Sequence, residues 1–279
     1  MTRSVKDLFD LTGRVAIVTG GAGMLGMQHA EAIAEAGGHA VIADLSEEVV
    51  VRSAAKITQA HGVEALGVRV DITQKADVEA MVAAVMEKFG RIDILVNNAA
   101  LTVKGGSHRA KEYFAPFEEY PLEFWEKALQ VNLTGMFLCC QAVGKIMVAQ
   151  QGGVILNIAS DVGNISPDHR VYDGALNPYT GEPFNTPIAY ATTKAGVINF
   201  TRYLATYWAN KGIRVNCLSP GGVYAGHSPQ FVENVTQRIP LGRMARVDEY
   251  KGVILFLVSD ASSYMTGANL IVDGGRTAW

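Results

Sequence analysis

The chain has 279 residues, of which 49% are hydrophobic and 29 are glycine, and 24 basic against 27 acidic side chains give a net charge of -3. This length and hydrophobic content suffice for one large core, so we expect a single domain over residues 1–279. Charges of both signs are mixed without a long run of either, which argues against a nucleic-acid partner.

Cysteine usage and apolar runs limit the chemistry and the compartment further. The three cysteines, Cys139, Cys140 and Cys217, lack metal-ligand spacing, so we expect buried reduced thiols and no metal site. Residues 1–7 lack the apolar stretch of a secretion signal, and no apolar run approaches the roughly 20 residues needed to span a bilayer. We therefore expect a soluble, cytoplasmic protein with no membrane partner.

Short β-branched runs alternate with longer amphipathic or alanine-rich segments along the chain. The predicted strands are Val15–Val18, His39–Ala43, Ala65–Val70, Ile92–Val96, Val154–Ile158, Ile213–Cys217 and Asn269–Val272. The predicted helices cover about 24–36, 46–60, 74–89, 122–150, 188–210 and 247–259. Apolar strands separated by helices are typical of a parallel sheet covered on both faces. The sequence therefore predicts an α/β, doubly wound Rossmann fold with a mainly parallel seven-stranded sheet.

The first predicted strand is followed by a glycine-rich turn, residues 19–26, that opens the first long helix. Glycines let the backbone approach a pyrophosphate, which the helix N-terminus attracts through its free N–H groups. The alternative is a tight packing turn without a ligand. Asp44, 18 residues past Gly26, ends the second strand, where a carboxylate can accept both ribose hydroxyls and repel a 2′-phosphate. No Arg or Lys directly follows Gly20 or Asp44, so NAD is favoured over NADP, unless Asp44 only caps the next helix.

Tyr190 and Lys194 are four residues apart, which places a phenol and an ammonium on one helix face. A neighbouring cation favours the phenolate over the phenol, whose pKa is ordinarily about 10, and so makes the tyrosine a candidate base for an alcohol proton. Tyr207 and Lys211 have the same spacing, yet Lys211 runs directly into Gly212. The second pair is therefore interpreted as a solvated last helical turn.

Two segments, about 101–121 and 161–187, are too long for ordinary connections and follow strand ends where open α/β sheets bind ligands. We expect both to be active-site loops, and the second to be a mobile lid. Their polar side chains favour a hydroxylated or acidic small substrate such as a sugar, polyol or hydroxy acid, although they could simply be solvated surface. Those side chains are His108, Arg109, Lys111, Asp168, His169, Arg170, Tyr172 and Asp173. Arg170 either binds an anionic group of the substrate or pairs with Asp168 or Asp173.

From about Gly13 to Gly275 the chain resembles the short-chain dehydrogenase/reductase family. The motifs that carry the likeness occur in family order: the turn at Thr19–Gly26, Asp71, Asn97–Ala100, Val131–Gly135, Ser160, Tyr190 with Lys194, and Ser219–Gly221. Met24 stands where the family usually has the middle glycine of the turn, and its backbone N–H remains available. The 30 positions between Ser160 and Tyr190 are about twice the family's usual spacing.

The resemblance implies that Tyr190 is the catalytic acid/base and that Lys194 holds the nicotinamide ribose and lowers the pKa of Tyr190. Ser160 would hydrogen-bond the reacting oxygen, and Asn132 would bend its helix around a water that links Lys194 to solvent. Read alone, Asn132 could be a mid-helix polar residue, Ser160 a cap, and Pro220-Gly221 a simple turn. The implied cofactor contacts are Gly20, Met24, Leu25, Asp44, Leu45, Asp71, Ile72, Asn98, Ala99, Tyr190, Lys194, Pro220, Gly221 and Val223.

The expected activity is reversible, NAD-dependent oxidation of a secondary alcohol to a ketone. A 3-oxoacyl thioester reductase is the alternative enzyme, and a non-catalytic NAD-binding regulatory protein is the alternative from another class. The family's habit of pairing its long helices further predicts a homotetramer through the segments Asn132–Gln150 and Tyr190–Asn210. An apolar face formed by Val131, Met136, Cys139, Val143 and Ile146 fits that interface, or packs on the chain's own sheet.

Overall fold

A computed structural model describes residues 2–101, 109–177 and 181–279 of the chain. Its sheet has seven parallel strands in the order β3-β2-β1-β4-β5-β6-β7. The strands are β1 Val15–Thr19, β2 His39–Asp44, β3 Ala65–Arg69, β4 Ile94–Asn97, β5 Gly153–Ile158, β6 Ile213–Pro220 and β7 Asn269–Val272. The predicted doubly wound Rossmann fold is therefore confirmed.

Helices connect the strands and cover both faces of the sheet. They are α1 Val5–Phe9, α2 Met24–Glu35, α3 Glu47–His61, α4 Lys75–Phe89, α5 Ala110–Tyr113, α6 Leu122–Leu129, α7 Met136–Gln150, α8 Ile188–Tyr207, α9 Pro229–Thr236 and α10 Lys251–Val258. A π-helical turn, Gln130–Gly135, joins α6 to α7 without a break. The short helices α1, α5 and α9 were not predicted, and α8 ends three residues before the expected position.

The core lies in two layers because successive side chains of a strand point to opposite faces of the sheet. Ile17 and Leu95 are buried on one face with residues of α4, α7 and α8. Val18 and Val96 are buried on the other face with residues of α2, α3 and α10. This two-sided cover leaves the carboxyl ends of the strands as the edge where ligands can approach.

The continuous helix Leu122–Gln150 has the bounds that the sequence predicted. It is, in the described part of the chain, the one helix long and apolar enough by length and composition to cross a membrane, and 44% of the relevant window is buried. Met136, Cys139 and Val143 on this helix are buried in the core, with Val131 and Ile146 packed against it. The apolar face considered for the tetramer thus packs on the chain's own sheet, as core helices of soluble proteins do.

Candidate active site

Tyr190 and Ser160 meet at the carboxyl edge of the sheet. Ser160 lies two residues beyond the end of β5, and Tyr190 is the third residue of α8. Ser160 lies close enough to the Tyr190 hydroxyl to influence the pKa of the phenol. Burial raises the pKa of Tyr190 above its ordinary value of 10.0, the interaction with Ser160 lowers it, and the charge of Asp161 raises it. In this arrangement the phenol is protonated at neutral pH.

Lys194 lies one turn along α8 from Tyr190 and is 3% exposed. Its Nζ donates to the carbonyl oxygen of Ile158 at 2.7 Å and stands 5.6 Å from the centroid of the Tyr190 ring. Burial lowers the pKa of Lys194 to about 8. The Lys194 ammonium thus faces a backbone carbonyl, and its implied lowering of the Tyr190 pKa stays an expectation.

Asn132 lies in the π-helical turn and is buried. Its Oδ1 accepts from the backbone N–H of Leu101 at 2.7 Å, and its Nδ2 donates to Oγ1 of Thr193 at 2.9 Å. Thr193 in turn donates to the carbonyl of Ala189 on α8. Asn132 thus connects the end of the β4 loop to the helix of Tyr190, and its side chain bonds other segments rather than its own helix. Single π turns of this kind are frequent at functional sites.

The glycine-rich turn presents an open helix N-terminus. Met24 and Leu25 are the first two residues of α2, and no side chain caps this helix. A Cβ on Gly26 would overlap the carbonyl oxygen of Gly20, so only glycine lets the turn close this tightly. The Met24 side chain is 49% exposed, so it leaves the backbone of the turn unobstructed. The free N–H groups of this first turn suit a pyrophosphate.

Asp44 at the end of β2 faces the glycine-rich turn. Its Oδ2 accepts from the N–H of Ala22 at 3.1 Å, and its Oδ1 accepts from the N–H of Leu45 at 2.8 Å. Ser46, rather than Asp44, is the cap residue of α3. Arg69 on β3 stands in register with Asp44 and forms an ion pair with Asp77 at 3.1 Å. Arg69 does not directly follow Gly20 or Asp44 in the sequence, so only the pairing of β2 with β3 reveals it as a cation near Asp44.

Asn98 holds the glycine-rich turn against β4. Its side-chain Nδ2 donates to the carbonyl oxygens of Thr19 and Gly20 at 3.0 and 3.1 Å. The backbone N–H groups of Asn98 and Ala99 both donate to the Thr19 hydroxyl. Asn98 therefore shapes the nucleotide turn through its amide, and its contact with a ribose region stays an expectation.

Asp71 and Ile72 follow β3 at the same edge. The Asp71 carboxylate accepts from both the N–H and the hydroxyl of Thr73, at 2.9 and 2.7 Å. The Ile72 side chain is buried in the core, so close to Gly135 that an added Cβ there would lie 2.8 Å from it. Only the backbone and the second carboxylate oxygen of this pair are placed to meet an adenine.

The segment after β6 completes the edge. Pro220 is the last residue of β6, and the N–H of Gly221 donates to the carbonyl of Val272 at 2.9 Å. Val223 is held by a parallel bridge to Ala245. Asn98, Ser160 and Gly221 therefore follow the carboxyl ends of β4, β5 and β6, the edge at which open α/β sheets bind ligands.

Ion pairs hold half of the eight polar side chains considered for the substrate. Arg170 forms two hydrogen bonds of 2.9 Å to Asp168, which also pairs with Arg238. Lys111 pairs with Glu182, and Arg109 pairs with Glu112 and Glu123. Of the two roles considered for Arg170, the structure therefore shows the pairing with Asp168. His108 lies outside the described residues. Loop polarity consequently carries little information about the substrate.

Two other sequence expectations have clear positions. Cys139, Cys140 and Cys217 are free and buried, as expected, and burial raises the pKa of each thiol. Tyr207 ends α8 with its side chain 64% exposed, and it stacks on Tyr203 at a ring separation of 6.0 Å. The competing Tyr-Lys pair therefore lies at the opposite end of α8 from Tyr190.

Known proteins were compared with this chain by family models, sequence and structure. A model described as short chain dehydrogenase matches residues 14–175, and one described as Enoyl-(Acyl carrier protein) reductase matches 179–277. An NAD-dependent glycerol dehydrogenase from Listeria innocua is 35% identical over 277 residues, covering 98% of this chain and 96% of the relative. A D-threitol dehydrogenase from Mycolicibacterium smegmatis is 37% identical over 280 residues, with the same coverage of 98% and 96%.

A solved structure extends the likeness to three dimensions. The crystal structure of a gluconate 5-dehydrogenase from Burkholderia cenocepacia J2315 in complex with NADP and tartrate superposes with a TM-score of 0.85 at 32% identity. The match covers 99% of this chain and 100% of that chain. Together with the ordered motifs and the parallel sheet, these similarities establish that the chain is an oxidoreductase and belongs to the short-chain dehydrogenase/reductase family.

Proposed function

We propose that this protein catalyses reversible, NAD-dependent oxidation of a secondary alcohol group in a small polyhydroxylated molecule. The observation that carries the proposal is the proximity of Ser160 and Tyr190, with buried Lys194 one turn away, at the carboxyl edge of the sheet. A phenol and a hydroxyl close together there can both hydrogen-bond to one reacting oxygen.

Each residue of this group has a distinct task in the proposed reaction. As a phenolate, Tyr190 takes the hydroxyl proton of the alcohol, and as a phenol it returns that proton to the ketone in the reverse direction. Ser160 holds the reacting oxygen beside Tyr190, and Asn132 fixes the start of α8 through Thr193. A bound nicotinamide supplies the hydride acceptor. The raised pKa of Tyr190 suits it to act as a proton donor in ketone reduction.

The preference for NAD rests on Asp44. Its carboxylate sits beside the glycine-rich turn, where it can accept ribose hydroxyls and repel a 2′-phosphate. Arg69 weighs against the preference, because its guanidinium neighbours Asp44 in the sheet. We favour NAD because Arg69 is already paired with Asp77, whereas a phosphate at Asp44 would meet an unneutralised carboxylate.

The substrate class rests on the relatives rather than on the loops. The names of the two relatives, a glycerol dehydrogenase and a D-threitol dehydrogenase, are those of enzymes acting on short polyols. We therefore propose a polyol, sugar or hydroxy acid as the substrate class. A 3-oxoacyl thioester reductase remains the competing enzyme, since a Synechocystis relative named 3-oxoacyl-[acyl-carrier-protein] reductase is 34% identical over 267 residues.

A substrate screen tests the activity directly. Absorbance at 340 nm would be followed with NAD and with NADP against polyols, sugars, hydroxy acids and 3-hydroxyacyl thioesters. The proposal expects reduction of NAD with at least one polyhydroxylated substrate. Turnover confined to thioesters with NADP would establish the competing enzyme, and cofactor binding without turnover of any substrate would support the regulatory alternative.

We also propose that residues 1–279 form one domain of a cytoplasmic homotetramer that binds neither nucleic acid nor membrane. Phe137, Tyr203 and Tyr207 support the assembly, because these aromatic side chains are exposed on helices α7 and α8. Exposed aromatic residues in a cluster are typical of protein interfaces. The mixed surface charge gives no basic patch for a polyanion.

A further inference from the structure

A buried ion pair stands directly behind Ser160. The Ser160 hydroxyl donates to Oδ1 of Asp161 at 2.8 Å, and the N–H of Val162 donates to the same oxygen at 2.8 Å. The other oxygen, Oδ2, accepts from Nη1 of Arg276 at 2.7 Å. The side chains of Asp161 and Arg276 are 5% and 11% exposed. A charge buried this deeply is costly unless it is paired, so each partner depends on the other.

The direction of these bonds fixes the role of the Ser160 hydroxyl. An ionised carboxylate only accepts hydrogen bonds, so the single proton of Ser160 points to Asp161. The Ser160 oxygen is then left as an acceptor on the side away from Asp161. Asp161 therefore determines the orientation of the Ser160 hydroxyl.

We propose that Asp161 and Arg276 are positioning residues of the active site. Asp161 orients the Ser160 hydroxyl, and Arg276 holds Asp161 in place and neutralises its charge beside Tyr190. This inference rests on the proposed roles of Ser160 and Tyr190. It adds to them a residue from the C-terminal end of the chain, 115 positions from Asp161.

The turn that follows β7 delivers Arg276 to this position. Asp273 accepts from the N–H groups of Gly275 and Thr277 at 2.9 and 2.8 Å, which closes the turn around Arg276. Gly275 has φ +91°, and a Cβ there would lie 2.8 Å from Pro240. Glycine is therefore required at 275, and the turn is built against the segment that follows α9 rather than hanging free.

Apart from Arg276, few charged or titratable groups among the described residues lie near Tyr190 and Asp161. Lys194 approaches from α8, and its ammonium is bonded to a backbone carbonyl. Three tyrosines lie close enough to interact electrostatically with Tyr190 or Asp161: Tyr113 of α5, Tyr172 of the 161–187 segment, and Tyr250 before α10. Burial raises the pKa of each of them, so all three are neutral at working pH. Tyr250 also interacts with Glu249 and Asp273. Removal of Arg276 alone would consequently leave Asp161 as an unbalanced negative charge beside the phenol.

The test is a double-mutant cycle read out as pH profiles of alcohol oxidation. Arg276→Leu is expected to raise the apparent pKa of the acidic limb of kcat, where activity rises with pH, by about one unit or more, because an uncompensated carboxylate disfavours the phenolate. Turnover near neutral pH should then fall about tenfold, as a one-unit shift requires. Arg276→Lys should stay close to wild type in its pH profile, since it keeps the charge. NAD affinity, measured by fluorescence titration, should change by less than about threefold in both, a difference within ~0.7 kcal/mol.

The second half of the cycle distinguishes charge from simple damage. Asp161→Asn combined with Arg276→Leu should restore the wild-type pKa, because the pair is removed as a unit. An Arg276→Leu profile that matches wild type would overturn the inference, as would a double variant that stays shifted. If Arg276→Leu does not fold, the comparison of Asp161→Asn with wild type decides, since loss of the carboxylate should lower the pKa. Failure of the proposed function would show separately, as normal turnover in Tyr190→Phe.

Discussion

Asp44 at the end of β2 stands in register with Arg69 on β3, so the residue expected to select NAD has a cation as its neighbour on the same sheet face. Arg69 is committed to Asp77 through a 3.1 Å ion pair, and its side chain is largely exposed. Exposed pairs of this kind are weak, so a strong ligand could draw the arginine away. We therefore expect the cofactor preference to depend on the balance between the Asp44 carboxylate and the Arg69 guanidinium.

We predict that the enzyme prefers NAD over NADP by at least about tenfold in kcat/KM, which corresponds to about 1.4 kcal/mol. Asp44→Ala should relax the preference, because it removes the acceptor for the ribose and the repulsion of a 2′-phosphate. Steady-state kinetics with both cofactors measure the change. Arg69→Gln is the matched control and should reduce NADP use further while leaving NAD kinetics near wild type. Equal efficiency of wild type with both cofactors would refute the assignment.

Arg170 and Arg238 share Asp168 but differ in exposure, at 76% for the first and 24% for the second. Arg170→Ala should therefore alter kinetics little and equally for charged and neutral substrates, as expected for an exposed pair worth about 0–1 kcal/mol. Arg238→Ala should lower the melting temperature more, because Arg238 also donates to the carbonyl of Asn234. A selective loss of activity on anionic substrates in Arg170→Ala would revive its role as a substrate ligand.

His29 on α2 is 1% exposed, and its Nδ1 has no hydrogen-bond partner among the described residues. Burial lowers its pKa from 6.5 to about 4, so the unfolded chain takes up the proton first as pH falls. Stability is thus complete above pH 6.5 and is lost as pH falls from 6.5 through about 4, by up to about 3 kcal/mol.

Denaturant unfolding at several pH values measures this loss. His29→Leu should flatten the decline in the free energy of unfolding between pH 6.5 and 4. The free energies of unfolding of both proteins at pH 7.5 give the reference, because His29 is neutral there in the folded and unfolded states. An unchanged slope in the variant would mean that other groups cause the acid sensitivity.

The tetramer is expected to form through α7 and α8, where Phe137, Tyr203 and Tyr207 are exposed. Light scattering at micromolar concentration should give four times the 29.9 kDa chain mass. Tyr203→Lys should shift the assembly toward smaller species, because a buried unpaired charge at an interface is costly. A wild-type monomer at that concentration would exclude this assembly.

Most of the fold could be predicted because local periodicity determined it. The strands of the sheet are short apolar runs such as Val15–Thr19, buried on both faces, and these are recognisable without tertiary information. Helix α9 was missed because its eight residues lie within an irregular segment and its start depends on the Ser228 cap. The bounds of the helix Leu122–Gln150 were predicted, whereas the π turn at Asn132 within it was not.

The site could be predicted where motifs are local and not where contacts are distant. Tyr190 and Lys194 share one helix, so their proximity follows from spacing alone. The pairing of Asp161 with Arg276 spans 115 positions and depends on how the C-terminal turn folds, which no local pattern encodes. The direction of the Lys194 side chain could likewise not be predicted, because the carbonyl of Ile158 that accepts its hydrogen bond belongs to strand β5.

The central claim is that Tyr190 transfers the proton during alcohol oxidation. Tyr190→Phe removes the phenol oxygen and little contact area, so turnover should fall by about 10²-fold or more while NAD affinity stays nearly unchanged. Tyr207→Phe, at the exposed far end of the same helix, is the matched control and should retain wild-type turnover. The decisive measurement is kcat for these two variants on the best substrate of the 340 nm screen. A large loss in Tyr190→Phe alone is the predicted result, and comparable turnover in both variants would contradict the account.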